Sequence, residues 1–198
     1  MGKKGVFICV EGLDGSGKTT QAALLTEKLN KNNNAVYTAE PSHGKIGTFI
    51  RESCLYEEKR LPTAVEALLF AADRIEHVEN EIKPALAEGK IVVCDRYVYS
   101  SLAYQGSAGL SLVWIQKINS YALKPDYAIF IDVPPERVLE RLQRKKSVME
   151  TLEIQRKVRE IYMAFAKKGE LWLIDGNKER DEVANALYSK VLSLINKS

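Results

Sequence analysis

The sequence predicts an α/β protein with three layers, α/β/α, around a five-stranded parallel sheet. Three features carry that prediction. Five short apolar runs, "VFICV", "AVYTA", "IVVCD", "YAIFID" and "LWLID", recur along the chain, and each has the β-branched and aromatic content of a buried strand. Between them lie segments with 3.6-residue apolar spacing, and strands alternating with helices pack as a parallel sheet with right-handed crossovers and helices on both faces. The first run also leads through a glycine-rich turn, "EGLDGSGKTT", into a helical pattern, "QAALLTEKL", the strand–loop–helix unit of a P-loop NTPase fold.

Taken in order, the first strand runs into Gly12 and a helix is expected over Lys18–Asn30. The second strand, "AVYTA", is followed by a helix over Lys45–Tyr56 and a long one over Ala64–Glu88. Pro84 lies inside the long one, lacks an amide hydrogen and predicts a kink or break there. "IVVCD" is the third strand. Helices over Ser111–Leu123 and Pro135–Lys146 flank the fourth, "YAIFID"; a helix over Thr151–Lys168, the fifth strand and a helix over Asp181–Asn196 complete the chain. With 198 residues and no repeat, low-complexity tract or linker, one domain over 1–198 is expected, long enough to bury one sizeable core.

Composition narrows the function. Formal net charge is +3, and the basic residues are spread out apart from "RLQRKK" at Arg141–Lys146, which is thin support for nucleic-acid binding. The longest apolar runs, such as "ALLFAA", are far too short to span a bilayer. The N-terminal lysines lead straight into the first strand, with no cleavage signal. Three cysteines, an odd number without C-x-x-C spacing, suit buried inert thiols in a reducing cytoplasm.

The glycine loop carries the first chemistry. Gly12, Leu13, Asp14, Gly15, Ser16, Gly17, Lys18, Thr19 and Thr20 present successive backbone N–H groups and a helix N-terminus to an anionic phosphate. Lys18 adds a mobile charge for the β/γ-phosphates of ATP, and the Thr19 hydroxyl is placed for Mg2+. Asp95 ends the third strand, where a carboxylate orients magnesium, and Arg96 beside it offers a planar fork for phosphates; a structural ion pair is the plainer alternative. In open parallel sheets ligands gather at the carboxyl ends of the strands. The polar residues there, Glu11 to Asp14, Glu40, Pro41, Asp95, Arg96, Asp132 and Asp175, should line one cleft.

Phe70 and Arg74 stand four apart in "LLFAADRIEH" and share a helical face. An aromatic plane beside a donor suits a flat heterocycle with carbonyl oxygens, although Phe70 alone also suits a core. His77 continues that face and reads as a surface or dimer-contact residue. The basic cluster beyond the fourth strand suits a short lid over about 141–152, adding positive charge and excluding water during transfer.

At this point the chain resembles the thymidylate kinase family, nucleoside-monophosphate kinases that use ATP to convert dTMP to dTDP for dTTP synthesis. The resemblance rests on "FICVEGLDGSGKTTQAALL", "AEPSHGKIGTFIRE", "EALLFAADRIEHVENEIKPALAEGKIVVCDRYVYSSLAYQG", "PDYAIFIDVPPERVLERL" and "VREIYMAFA" in that order. It implies that Asp14 bonds the sugar 3′-hydroxyl, Phe70 stacks on thymine and Arg74 donates to a thymine carbonyl. It further implies that Tyr104 packs where a 2′-hydroxyl would sit, that Gln105 lies near the base, and that Arg51 and Arg96 grip the acceptor phosphate. Asp95 would organise magnesium, and Arg141 and the loop at Asn177 would lie against adenine. A cis Glu40–Pro41 bond beside the base and a homodimer packed through helices of the central region, Ala64–Glu88 included, are implied as well.

The chain also departs from the family. Ala39 and "SHGK" stand where many relatives have an arginine before the Glu-Pro pair and Gly-Gly-Thr after it. Ser101 stands where an amide side chain is often found near thymine. The glycine loop has Gly15 and Ser16 and so supplies no catalytic arginine, which leaves Arg144, Lys145 or Lys146 of the lid as unranked candidates. Rival readings are another small P-loop nucleotide or deoxynucleoside kinase, a GTPase-like switch and a nucleic-acid-binding module. The switch would need N-K-x-D, whereas the nearest match, "NKER" at Asn177–Arg180, lacks the aspartate.

Overall fold

In a computed structural model the described residues are 5–31, 34–54, 61–141 and 151–196. The five expected strands form one parallel sheet: β1 (Val6–Gly12), β2 (Ala35–Ala39), β3 (Ile91–Asp95), β4 (Tyr127–Asp132) and β5 (Trp172–Asp175), in the order β2-β3-β1-β4-β5. Strand β1 sits at the centre, with Val6 opposite Ile91 of β3 and Ile8 opposite Tyr127 of β4. Alternation along β1 sends its side chains into two cores. Ile8 and Val10 face α1 (Lys18–Asn30) and α9 (Arg180–Ile195), packing with Leu25, Leu29, Leu187 and Val191. Phe7 and Cys9 face the other layer, with Tyr97, Phe130 and Tyr162.

That second layer holds α5 (Val98–Ser107), α6 (Leu112–Ile118), α7 (Pro135–Arg141) and α8 (Leu152–Lys167). Ser111 and Thr151 cap α6 and α8 by accepting the amides of Trp114 and Ile154, as short hydroxylated side chains do at helix starts. Helix α6 ends at Ile118 rather than Leu123. Its C-cap, Asn119, donates its side-chain amide to the Ile115 carbonyl and turns its oxygen toward Arg74. Helix α5 is absent from the helices read in the sequence. Ser100 to Gln105 are all buried, so no polar face marks the helical period.

Helix α2 spans Lys45–Ser53, and α3 spans Thr63–His77. The expected long helix is interrupted. Residues Val78–Ile82 form a π-helical turn in which the Lys83 amide reaches back five residues to Val78, and α4 restarts over Lys83–Ala87 with Pro84 in its first turn. Pro84 has no N–H to continue the four-residue ladder, and the widened turn absorbs the register change. Among the described residues no helix is long and apolar enough to cross a membrane. Cys9, Cys54 and Cys94 are buried and in no disulfide, and burial pushes the Cys9 and Cys94 thiols well above their ordinary range.

Candidate active site

The chain leaves β1 toward β2 on one side, whereas it leaves β3 toward β4 on the other. Adjacent strands with diverging connections open a crevice at their carboxyl ends, and the glycine loop after β1 and the Asp95–Arg96 pair after β3 meet there. Gly17 has φ +85°, a left-handed conformation favouring glycine. A Cβ on Gly12 would stand 2.5 Å from Ser16 Oγ and 3.2 Å from the Ile131 carbonyl, so the loop can close only over a bare backbone at that position. Lys18 is buried and folds back, its Nζ 3.3 Å from the Leu13 carbonyl and 3.5 Å from Asp14. Burial and then the charge of Arg96 lower its pKa.

Thr19 donates to Asp95 Oδ2 at 2.5 Å, while Asp95 Oδ1 is buried without a hydrogen-bond partner. An orphaned carboxylate oxygen beside a hydroxyl fits a hard divalent cation. Ser16 Oγ, inside the loop, is also buried and unpartnered. Among the described residues no cluster of three or more His, Cys, Asp or Glu could itself hold a metal ion, so such a cation would need phosphate oxygens and water to complete its shell.

Asp14, Arg96 and Tyr104 form one cluster. Arg96 pairs with Asp14 and lies 5.0 Å from the Tyr104 ring centre. The Tyr104 hydroxyl accepts from the Asp14 amide and donates to its carboxylate, both at 3.0 Å. The glycine loop is thereby tied to α5.

A second cluster centres on Arg74. The sequence places Arg74 beside Phe70, and the structure sinks it to 1% exposure. Its guanidinium donates to Glu40 Oε2 at 2.9 and 2.6 Å, to Ser101 Oγ at 3.2 Å and to Asn119. Burial works against its charge, but the Glu40 carboxylate, Tyr97 and Glu11 together outweigh it and raise its pKa. His77 is also buried, which corrects the surface reading: its imidazole lies 3.3 Å from Glu40 Oε1 and 2.6 Å from Thr38 Oγ1. Phe70 is partly buried and belongs to neither hydrophobic core. Gln105 is buried with its side-chain oxygen unpartnered.

The Glu40–Pro41 bond is cis. Arg51 donates to the Pro41 and Ser42 carbonyls, each at 2.6 Å, so it braces the turn. Asp73 holds the turn from the other side, accepting the Ser42 amide at 2.8 Å and the Ser42 hydroxyl at 2.6 Å. Burial raises the Asp73 carboxyl pKa against those two hydrogen bonds. The roles of Ser42, Asp73 and Asn119 escaped the sequence reading, and Glu11 was read only as a polar residue at a strand end, because their partners lie 31 or more residues away.

Beside the glycine loop lies a cavity of about 260 Å3, lined by Ser16, Gly17, Thr20, Arg141, Gly176 and Lys178 among others. Arg141 shares that lining with the loop residues, and the cavity flanks Asn177, which is not itself in the lining. Arg144, Lys145 and Lys146, and the lid over about 141–152 except its ends, lie outside the described residues. Asp132 is held by Arg159 of α8 through two 2.7 Å contacts.

A glycine loop with its lysine, an aspartate–threonine pair for a cation and an arginine on the adjoining strand end, in a sheet of this order, define a P-loop nucleotide kinase. Residues 10–187 match the thymidylate kinase family, and the chain belongs to it. It is 46% identical over 172 residues to the probable thymidylate kinase of Pyrococcus abyssi (strain GE5 / Orsay), covering 83% of this chain and 84% of that protein. To the probable thymidylate kinase of Pyrobaculum aerophilum it is 45% identical over 181 residues, 90% and 92% of the two chains. The corresponding protein of Methanococcus vannielii is 48% identical over 162 residues, 81% of this chain and 78% of that one.

Proposed function

We infer that the protein transfers the γ-phosphoryl group of ATP to dTMP, giving dTDP for dTTP synthesis. The observation that carries this reading is a path from the phosphate loop to the Phe70 face, made of two hydrogen bonds and single helical turns of α5 and α3. Asp14 bonds Tyr104, Ser101 one turn earlier on α5 bonds Arg74, and Arg74 lies one turn from Phe70 on α3. A deoxynucleotide laid along that path would have its phosphate near Arg96 and its base against Phe70. Arg74 has one N–H beyond those in use, on Nη1, for a base carbonyl, and Gln105 brings an unsatisfied amide oxygen.

Catalysis on this reading is positioning and charge neutralisation, with no covalent intermediate. Lys18 would exchange its contact with the Leu13 carbonyl for the donor phosphates, and Arg96 would span the donor and acceptor phosphates. Arg51, which reaches from α2 to the cis-Pro turn, would meet the acceptor phosphate, while Arg141 and the loop around Asn177 would hold adenine beside the cavity. Thr19 and Asp95 would hold Mg2+, which would supply charge neutralisation for the transferring phosphoryl group. Arg144 or Lys145 of the lid would add a further cation.

One kinase domain spanning 1–198 is the organisation this reading takes, and a homodimer its assembly. Support for the dimer is an apolar stripe on α3, where Val65, Leu68 and Ile75 are exposed at helical spacing, with Phe49 exposed on the neighbouring α2. A cytoplasmic setting suits three buried cysteines in no disulfide. Incubation with Mg-ATP and a panel of nucleoside monophosphates, followed by product separation, tests the activity: dTDP should dominate, and a larger yield from another monophosphate would reject it.

A further inference from the structure

Glu11 lies at the end of β1, immediately before the glycine loop, and is completely buried. A carboxylate in such a place needs donors, and it has three. The Tyr97 amide donates to Oε1 at 2.9 Å, and the Ser100 and Tyr162 hydroxyls donate to Oε2 at 2.6 and 3.1 Å.

Two of the three lead to Arg96. The Ser100 hydroxyl directs its one hydrogen at Glu11, and its oxygen accepts from Arg96 Nη1 at 3.1 Å. The Tyr97 amide belongs to the peptide that follows Arg96, and Arg96 has φ +70°, the only positive φ among the described non-glycine residues. An arginine persists in that left-handed conformation only where its surroundings hold it, and such strain gathers at functional positions. The hydrogen bond from Tyr97 to Glu11 pins the far side of that strained residue.

We propose that Glu11 is the positioning residue for Arg96, fixing its backbone through the Tyr97 amide and one edge of its guanidinium through Ser100. The opposite edge is then presented toward Asp14 and the glycine loop. The proposal rests on the reading of Arg96 as the phosphate-spanning cation. Tyr162 ties the same carboxylate to α8, and its hydroxyl lies 3.0 Å from Ser100 Oγ, bracing the side-chain link.

Glu11→Gln separates positioning from mere packing. The amide keeps the volume but has one acceptor oxygen, so it must present a donor either to the Tyr97 amide or to the two hydroxyls. In the first orientation the Tyr97 link is lost; in the second Ser100 must accept from the amide and turn its own hydrogen to Tyr162, 3.0 Å away, so the Ser100 link is reversed. With dTMP and Mg-ATP saturating, kcat should fall about tenfold to a hundredfold, the scale of a reacting group displaced by roughly 1 Å. KM for ATP should stay within about twofold, because the loop contacts are intact. In an Arg96→Ala background the same change should cost less than about threefold, since coupled residues are not additive. An equal loss in both backgrounds, or an unchanged kcat in Glu11→Gln alone, would overturn the proposal.

Ser100→Ala, which cuts only the side-chain link, provides the same cycle should Glu11→Gln not fold. A wild-type protein inactive on dTMP would strike the functional reading instead, and crystals of the variant would still decide this one. Arg96 should leave φ near +70° or part from residue 100, whereas an undisturbed Arg96 refutes the role.

Discussion

Replacing Glu40 by alanine would leave the Arg74 guanidinium buried without its counter-charge. Side-chain exposure of the two partners is 2% and 3%, and they share two hydrogen bonds of 2.9 and 2.6 Å. Removing one member of such a pair costs roughly 3–5 kcal/mol, mostly for the cation left unpaired in a low-dielectric interior. Asn119, Ser101 and the face of the Tyr97 ring, 5.1 Å from the guanidinium carbon, remain as partners and place the expected loss near the lower end, about 3 kcal/mol. In a chain of this size each kcal/mol moves Tm by about 2–4 °C, so Glu40→Ala should melt roughly 6–12 °C below wild type. Calorimetric unfolding in parallel with a urea titration reads the loss by two routes. The double variant Glu40→Met with Arg74→Met removes both charges and should regain most of the difference. A Glu40→Ala protein that melts within about 2 °C of wild type, or a double variant no better than the single, would refute the argument that this pair is a desolvated ion pair.

Three further outcomes are expected. The acceptor pocket should favour dTMP over dUMP by roughly 10–200-fold in kcat/KM, the worth of one methyl in an apolar site, and steady-state competition measures it. Leu68→Glu on the exposed stripe of α3 should shift the assembly toward monomer in sedimentation velocity without lowering Tm by more than a few degrees, since that side chain is half exposed. Burial pushes the Glu11 carboxyl from 4.5 up to about 7, against the pull of Ser100, Arg96 and Tyr162. The folded state therefore holds a proton that the unfolded chain releases near 4.5. Stability from this group is complete below about pH 4.5 and lost as pH rises through about 7, at most about 3 kcal/mol. Wild type should lose stability relative to Glu11→Gln over that window, and parallel urea curves for the two proteins would contradict the assignment.

All five strands were legible because their apolar runs are short, β-branched and bounded by turns, and the glycine loop was legible because its spacing is itself the mechanism. Helix α5 was not, since a helix buried on every side carries no amphipathic period. Pro84 announced an interruption, but the widening of the turn ahead of it depends on how α3 and α4 pack. His77 looked like a surface residue because its partners, Thr38 and Glu40, come from β2 and the cis-Pro turn, 39 and 37 residues earlier. Glu11 was visible only as a polar residue at a strand end. Its partners are 86, 89 and 151 residues away, and only the fold brings them together.

A crystal structure with a bisubstrate mimic, ATP joined through its phosphates to dTMP, most directly tests the claim that the glycine loop and the Phe70 face are two ends of one cleft. Thymine should lie against the Phe70 ring, adenine beside Arg141, and the bridging phosphates between Lys18 and Arg96. Thymine bound anywhere that leaves Phe70 untouched, or phosphates lying outside the loop, would contradict it.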